Sequence, residues 1–130
     1  MNGTTPMTPY ALLGGEGVVR WLVDRFYDIM DSEPAVRALR AMHPADLSGS
    51  RQKLFMFLSG WLGGPPLFQQ TFGHPRLRMR HMPFAIDEAA RDAWMLCMRQ
   101  AVAELICEDW LKEKLLQAFA ETADFMRNRP

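Results

Sequence analysis

The sequence predicts an all-α domain, and three observations carry that prediction. Apolar residues recur at three- and four-residue spacing through the long stretches of the chain. Those stretches are bounded by Gly and Pro where helices stop and by Asp and Ser where helices start. The one alternating run, Arg76, Arg78 and Arg80 with Leu77 and Met79 between them, has no partner strand elsewhere in the sequence. With 130 residues the chain is long enough for one domain with one core and too short for two.

Residues 1–9 read as a flexible arm of Asn, Gly, Thr and Pro, and residues 10–130 as the domain. A helical turn is expected at Tyr10–Leu13, broken by Gly14-Gly15. From Glu16 to Met30, residues Val18, Leu22, Phe26 and Ile29 follow a 4-4-3 spacing that marks one buried helix face, flanked by Val23, Tyr27 and Met30. Between Pro34 and Pro44, Ala35–Met42 leaves room for a short helix at most. Asp46 or Ser48 is placed to cap a helix through Leu54, Phe57, Leu58 and Trp61, which Gly63-Gly64-Pro65-Pro66 ends. A short helix at Leu67–Phe72 is followed by an irregular or one-turn helical loop, and a long loop in a compact domain is usually functional. Asp87 is an N-cap for a long helix bearing Trp94, Cys97, Met98, Ala101, Val102 and Leu105. Asp109 caps a last helix bearing Leu111, Leu115, Phe119, Thr122 and Met126. The outcome is four main helices with short accessory ones.

The composition narrows the function classes. Lys plus Arg and Asp plus Glu are both 15, so the formal net charge is zero. That balance gives no electrostatic reason to expect nucleic acid or a membrane as partner. The first ten residues lack a basic, apolar leader pattern, and no run approaches 18 apolar residues, so a cytoplasmic protein is expected. Cys97 and Cys107 lie ten apart in a stretch that reads as one helix, which separates them by roughly 15 Å, too far for a disulfide. Neither CxxC nor CxxCH occurs, so neither a zinc knuckle nor covalent haem attachment is indicated. Ten Met and 11% aromatic residues would suit an irregular apolar cavity as well as an ordinary Met-rich core.

Three histidines are the candidate metal ligands: His43, His74 and His81. None pairs with a second His or Cys at zinc spacing. A metal with a single protein ligand needs its other positions filled from elsewhere, and haem meets that demand, because the macrocycle holds the equatorial sites and one imidazole holds the axial one. His81 is the best placed. It follows Arg76, Arg78 and Arg80, whose planar forks suit propionate carboxylates, and it lies among Leu77, Met79, Met82 and Phe84, which suit a porphyrin face. The same segment also reads as a basic surface loop with one histidine.

The motif Gly73-His-Pro-Arg-Leu-Arg-Met-Arg-His-Met-Pro-Phe84 resembles the proximal signature of group II truncated haemoglobins. Three further pieces follow the family's order. Arg25-Phe26-Tyr27 is similar to its distal tyrosine helix. Met56-Phe57-Leu58 with Gly63-Gly64-Pro65 is similar to the end of its distal helix. Arg91-Asp92-Ala93-Trp94 with Cys97-Met98 is similar to the helix carrying its distal tryptophan. The resemblance spans about Tyr10 to Phe125. It implies a two-over-two helical sandwich around non-covalent haem b, with His81 as the iron ligand and Tyr27 and Trp94 beside the bound gas. His43 falls where relatives carry Tyr, Phe or His. Ser50 falls where many other globins carry a distal histidine, with Leu54 one turn further on. Phe57, Leu58, Met82 and Phe84 complete the expected haem contacts, and Lys53 and Arg78 are the expected propionate partners.

Bound O2 carries partial negative charge, so a donor aimed at it stabilises the complex, most of all in a dry pocket. Trp94 can only donate, and Tyr27 can donate or accept. Trp94 is therefore expected to be the principal donor and Tyr27 the second, with His43 orienting Tyr27 or donating itself. The expected ligands are O2, CO and NO. A donor-rich pocket that releases O2 slowly suits turnover of NO with O2, or of peroxide, better than delivery. Simple O2 storage, delivery or gas sensing is the alternative, and a haem-free helical interaction module is a third class. The sequence holds no flavin or nicotinamide motif, so turnover would need an external reductase. A monomer or homodimer fits equally.

Overall fold

The structure, a computed structural model, describes residues 7–130, and every regular element among them is helical. Most of the predicted N-terminal arm, residues 1–6, lies outside the described residues. The helices are α1 (Pro9–Leu13), α2 (Glu16–Ser32), α3 (Arg37–Ala41), α4 (Ser48–Trp61), α5 (Leu67–Phe72), α6 (Leu77–His81), α7 (Glu88–Ala103) and α8 (Asp109–Phe125), with a 3-10 turn at Pro34–Val36.

The long helices α2, α4, α7 and α8 make the core. α7 packs against both α2 and α8, and α2 packs in addition against α4. Leu22, Phe26, Met30, Leu58, Met98, Val102 and Phe119 are sealed from solvent. Because α2 is covered on two sides, its buried face is wider than the single stripe the spacing predicts. Val19, Leu22, Val23, Phe26, Tyr27, Ile29 and Met30 are all buried, and Val18 is only half-buried at the edge.

Polar ties fix the helices in register. Arg51 of α4 donates through Nη2 to Asp28 Oδ1 at 2.7 Å and through Nη1 to Asp24 Oδ1 at 3.2 Å, both on α2. Arg25 of α2 reaches both carboxylate oxygens of Glu104 at 2.9 and 3.0 Å, just past α7. Arg91 Nη1, in the first turn of α7, donates to Asp124 Oδ1 at 2.6 Å in the last turn of α8.

The helix boundaries follow local chemistry. Thr8 Oγ1 accepts the Ala11 N–H at 3.2 Å, so α1 starts at Pro9, a residue earlier than the sequence suggests. Neither Asp46 nor Ser48 is the cap of α4: Leu47 holds that position, Ser48 is the first helical residue, and Asp46 Oδ1 accepts the Ser48 N–H at 2.9 Å in the turn that precedes the helix. Asp87 Oδ1 accepts from Ala90 N at 2.9 Å, the predicted cap of α7. Asp109 is the first helical residue of α8 and not its cap, where its charge still favours the helix N-terminus. α7 ends at Ala103, so Leu105 is buried in the following loop and Cys107 lies beyond the helix. Both cysteines are free thiols, and burial pushes the Cys97 thiol up to about 11, which leaves it unreactive.

Gly63 and Gly64 do more than stop α4. Gly63 has φ +95°, and a side chain on Gly64 would run into the ring of Tyr10. The bare backbone lets α1 lie across the end of α4, where Tyr10 N–H donates to the Leu62 carbonyl at 2.9 Å. Buried Ser59 completes the corner by donating to the Pro65 carbonyl at 2.7 Å.

Phe119→Ala is expected to lower unfolding stability in urea by about 3–5 kcal/mol, the usual cost of deleting a sealed aromatic ring. The Arg91 guanidinium, bonded to Asp124, holds that carboxyl below the usual carboxylate range. The favourable contribution is therefore present above the unfolded value near pH 4 and fades as the pH falls below it. Thermal melts from neutral pH to about pH 3 should show a shallower acid loss in Asp124→Asn than in the parent.

Candidate functional site

His81 sits at the last position of α6, half-buried. Its Nδ1 lies 2.6 Å from the Leu77 carbonyl oxygen. A carbonyl can only accept, so Nδ1 carries the ring proton and Nε2 carries an unshared pair. This is the arrangement that fixes the tautomer and raises the basicity of a metal-ligating imidazole.

The backbone reaches α6 through a strained turn. Arg76 has φ +47°, the single non-glycine residue with positive φ among the described residues. His74 Nδ1 accepts the Arg76 N–H at 3.1 Å and holds that turn. Arg80 Nε donates to the Pro75 carbonyl at 2.7 Å, with its guanidinium 5.3 Å above the ring of Phe68.

Around His81 the chain displays large apolar groups. Phe72, Met79, Met82 and Phe84 are between 43% and 57% exposed, whereas a folded chain normally scatters such residues singly. Arg78 lies on the same helix, with one donor on the Arg127 carbonyl at 3.3 Å and its guanidinium 5.9 Å from the Phe125 ring. Lys53 is exposed on α4 with Nζ 5.9 Å from the Phe72 ring. One imidazole nitrogen, several apolar side chains and basic groups at the rim make a donor set that fits an iron porphyrin with two carboxylates. Among the described residues, no three His, Cys, Asp or Glu converge to hold a metal by themselves.

On α2 and α7 the structure brings the other candidates together. The Tyr27 ring packs edge-on against Phe26 at 4.9 Å between centroids, and Phe26 lies 5.0 Å from Trp94. His43 meets Tyr27 edge-on at 6.0 Å. Its Nδ1 lies 2.9 Å from the Leu39 carbonyl, so neutral His43 keeps Nε2 as an acceptor. Arg40 pins the following residues by donating to the carbonyls of Pro44 and Ala45, each at 2.9 Å. Among the described residues, Arg127 Nε is the sole sealed side-chain nitrogen or oxygen without a partner. None of the described residues hydrogen-bonds the Tyr27 hydroxyl or the Trp94 indole N–H, and neither atom is sealed from solvent. Burial pushes the Tyr27 phenol up to about 12, partly countered by the Arg51 guanidinium 5.9 Å from the ring. The phenol is consequently a neutral O–H donor across the physiological range.

Of the α4 candidates, Leu58 is sealed in the core, Leu54 and Phe57 are half-buried against it, and Ser50 is half-buried in the first turn. A cavity of about 500 Å³ lies against the far end of α4, lined by Phe57, Trp61, His74, Leu77, Thr122 and Phe125, among others. It shares Phe57 with the expected haem contacts, but His81, Leu54, Tyr27 and Trp94 are not among its walls. Sequence reasoning missed Arg51 above Tyr27, although Asp24 and Asp28, four apart on α2, signal a cationic partner. It placed Phe26 and Phe119 on their helices but not against Trp94, which they wedge in place at 5.0 and 5.9 Å.

Three comparisons bear on this arrangement. Residues 8–128 match the family described as bacterial-like globin. The Group 2 truncated hemoglobin YjbI of Bacillus subtilis is 39% identical over 93% of this chain and 89% of its own length. A cold-adapted truncated hemoglobin from the Antarctic marine bacterium Pseudoalteromonas haloplanktis TAC125 superimposes with TM-score 0.93 at 47% identity, over 95% of this chain and all (100%) of that one. A group II 2-on-2 hemoglobin from the plant pathogen Agrobacterium tumefaciens gives TM-score 0.94 at 42% identity, over 99% and 100% of the two chains.

The Tyr27 assignment has a direct optical check. In a Tyr10→Phe protein, Tyr27 is the remaining tyrosine. An alkaline ultraviolet titration should show its ionisation only toward pH 12, the value to which burial raises it. A midpoint near 10, the ordinary phenol value, would mean that the hydroxyl stands in water.

Proposed function

This chain belongs to the bacterial-like globins, and within them to the group II truncated haemoglobins, and from that membership we propose that His81 is the iron ligand of a non-covalent haem b. As a globin it is a haem protein that binds diatomic gases. The observation that carries the finer reading is the 2.6 Å contact from His81 Nδ1 to the Leu77 carbonyl, which in the neutral ring leaves Nε2 with an unshared electron pair for a metal. When bound, the haem supplies a ferrous iron that takes O2, CO or NO.

The chain's own residues then have distinct tasks. Met82, Phe84, Leu54 and Phe57 offer apolar contact to the porphyrin, Leu58 is sealed in the core and offers none, and Lys53 and Arg78 offer charge to its propionates. Ser50 lines the distal helix but is too short to be the main donor. Trp94 and Tyr27 donate to the gas. Each has its proton, neither spends it on another of the described residues, and both are wedged by Phe26. Neutral His43 donates from Nδ1 to Leu39 and presents an acceptor at Nε2. Its task is to orient Tyr27, and the alternative that it donates to the gas is the weaker one.

Two donors on one ligand favour retention over release. That favours redox chemistry, with NO and O2 converted to nitrate or peroxide reduced, over simple storage, delivery or sensing. Nitrate formation consumes an electron per turnover, which a separate reductase in the same compartment, the cytoplasm, would return. No helix of the described residues is long and apolar enough to cross a membrane.

Absorption spectra of the purified protein with and without dithionite, O2 and CO test the haem reading. His81→Gly should lose stable haem, and a proximal-histidine spectrum that survives in that variant would refute the ligand assignment. Trp94→Phe should release O2 about one to two decades faster, the effect of losing a donor worth roughly 1–3 kcal/mol. An unchanged off-rate would remove Trp94 from the role of donor. Rapid NO-driven oxidation of the oxygenated protein supports turnover, and fast spontaneous O2 release supports delivery.

A further inference from the structure

Asn128, just past the end of α8, grips the His81 segment at several points. Its side-chain Nδ2 donates to the Phe84 carbonyl at 2.9 Å and to the carbonyl of His81 itself at 3.3 Å. Its Oδ1 accepts the Ile86 N–H at 2.9 Å, and its own backbone N–H donates to the Ile86 carbonyl at 2.9 Å. Arg129 N–H adds a second donor to that carbonyl at 3.1 Å, and Arg78 reaches the Arg127 carbonyl at 3.3 Å. Residues 127–129 thus form a strap across the segment from 78 to 86. The strap is itself anchored, because Asp124 takes Arg91 Nη1 at 2.6 Å and Arg127 Nη1 at 3.5 Å.

The segment needs such a hold. α6 has five residues, no buried side chain and no side-chain cap. A helix that short has little stability of its own, and its last carbonyls lack partners within it. The Leu77 carbonyl fixes the proton and rotation of the His81 ring, but the place of the His81 backbone depends on contacts from outside the helix.

We infer that Asn128 is a positioning residue for His81. By tying down the carbonyls of residues 81 and 84, it sets the position from which Nε2 meets the haem iron. The inference rests on His81 being the iron ligand.

The test compares haem-loaded full-length Asn128→Ala and Asn128→Asp with the parent. Resonance Raman reads the iron–histidine stretching band of the ferrous protein, and transfer to an apoglobin acceptor reads haem loss. Asn128→Asp keeps the acceptor for Ile86 N–H but sets an acceptor-only carboxylate oxygen against the Phe84 and His81 carbonyls, so its band should move at least as far as in Asn128→Ala. Both variants should show a shifted or broadened band and haem loss about tenfold faster, the usual scale for removing an outer support of a metal ligand. Leu111→Ala deletes a buried side chain at the opposite end of α8. It should lower stability and leave the band in place.

An unchanged band with unchanged haem loss in both Asn128 variants overturns the inference. An equal band change in Leu111→Ala also overturns it, since the effect would then be general loosening. The ligand reading fails differently: the parent protein would lack the band, or His81→Gly would keep it, and the inference would fall with it.

Discussion

The helix that carries His81 has no fully buried side chain, and the surrounding structure is organised around that constraint. A core helix is placed by the apolar surface it removes from water, a force that acts over its whole length. α6 has little of that force and is placed by hydrogen bonds: from the His81 ring to the Leu77 carbonyl, from Arg80 to the Pro75 carbonyl, and from Asn128 to the carbonyls of His81 and Phe84. Hydrogen bonds are directional, so this mode of attachment fixes orientation well while leaving the neighbouring apolar side chains exposed. Met79, Met82 and Phe84 stay exposed on that segment for this reason.

The opposite principle governs the helices that carry Tyr27 and Trp94. Here the polar atoms are guests in an apolar framework. Phe26 touches both rings, Phe119 touches Trp94, and Trp61 stacks on Phe119 at 4.8 Å. Packed rings hold the direction of an O–H or N–H without using up its proton, which a hydrogen-bonded support would do. Burial also raises the ionisation of the Tyr27 phenol, so the hydroxyl stays a donor. Arg51 lies near the ring, but Asp24 and Asp28 engage its guanidinium and moderate its pull on that proton. Under the proposed function, one side of the site is tuned for a fixed ligand bond and the other for unspent donors.

The ties between helices serve both sides. Arg91 to Asp124 joins the helix of Trp94 to the end of the helix that leads into Asn128. Arg25 to Glu104 joins the helix of Tyr27 to the end of α7. Both pairs are solvent-exposed and contribute little stability singly, so their value lies in register.

The sequence alone determined the helical class, the number and rough extent of the long helices, the cap at Asp87, and the short helix at Leu67–Phe72. These follow from local spacing and from residues that act on their own backbone. The motif around His81 and the pieces at Tyr27 and Trp94 were legible too, because function leaves residue types in fixed order. Tertiary structure alone decided the width of the α2 face, which depends on both α4 and α7. It decided the end of α7 at Ala103 and the seat of Arg51. It decided which nitrogen of the neutral His43 and His81 rings donates, since each Nδ1 meets a carbonyl four residues back. It also brought Asn128 to His81, 47 positions apart. No local pattern encodes a contact of that separation, because it forms only when α7 and α8 have packed.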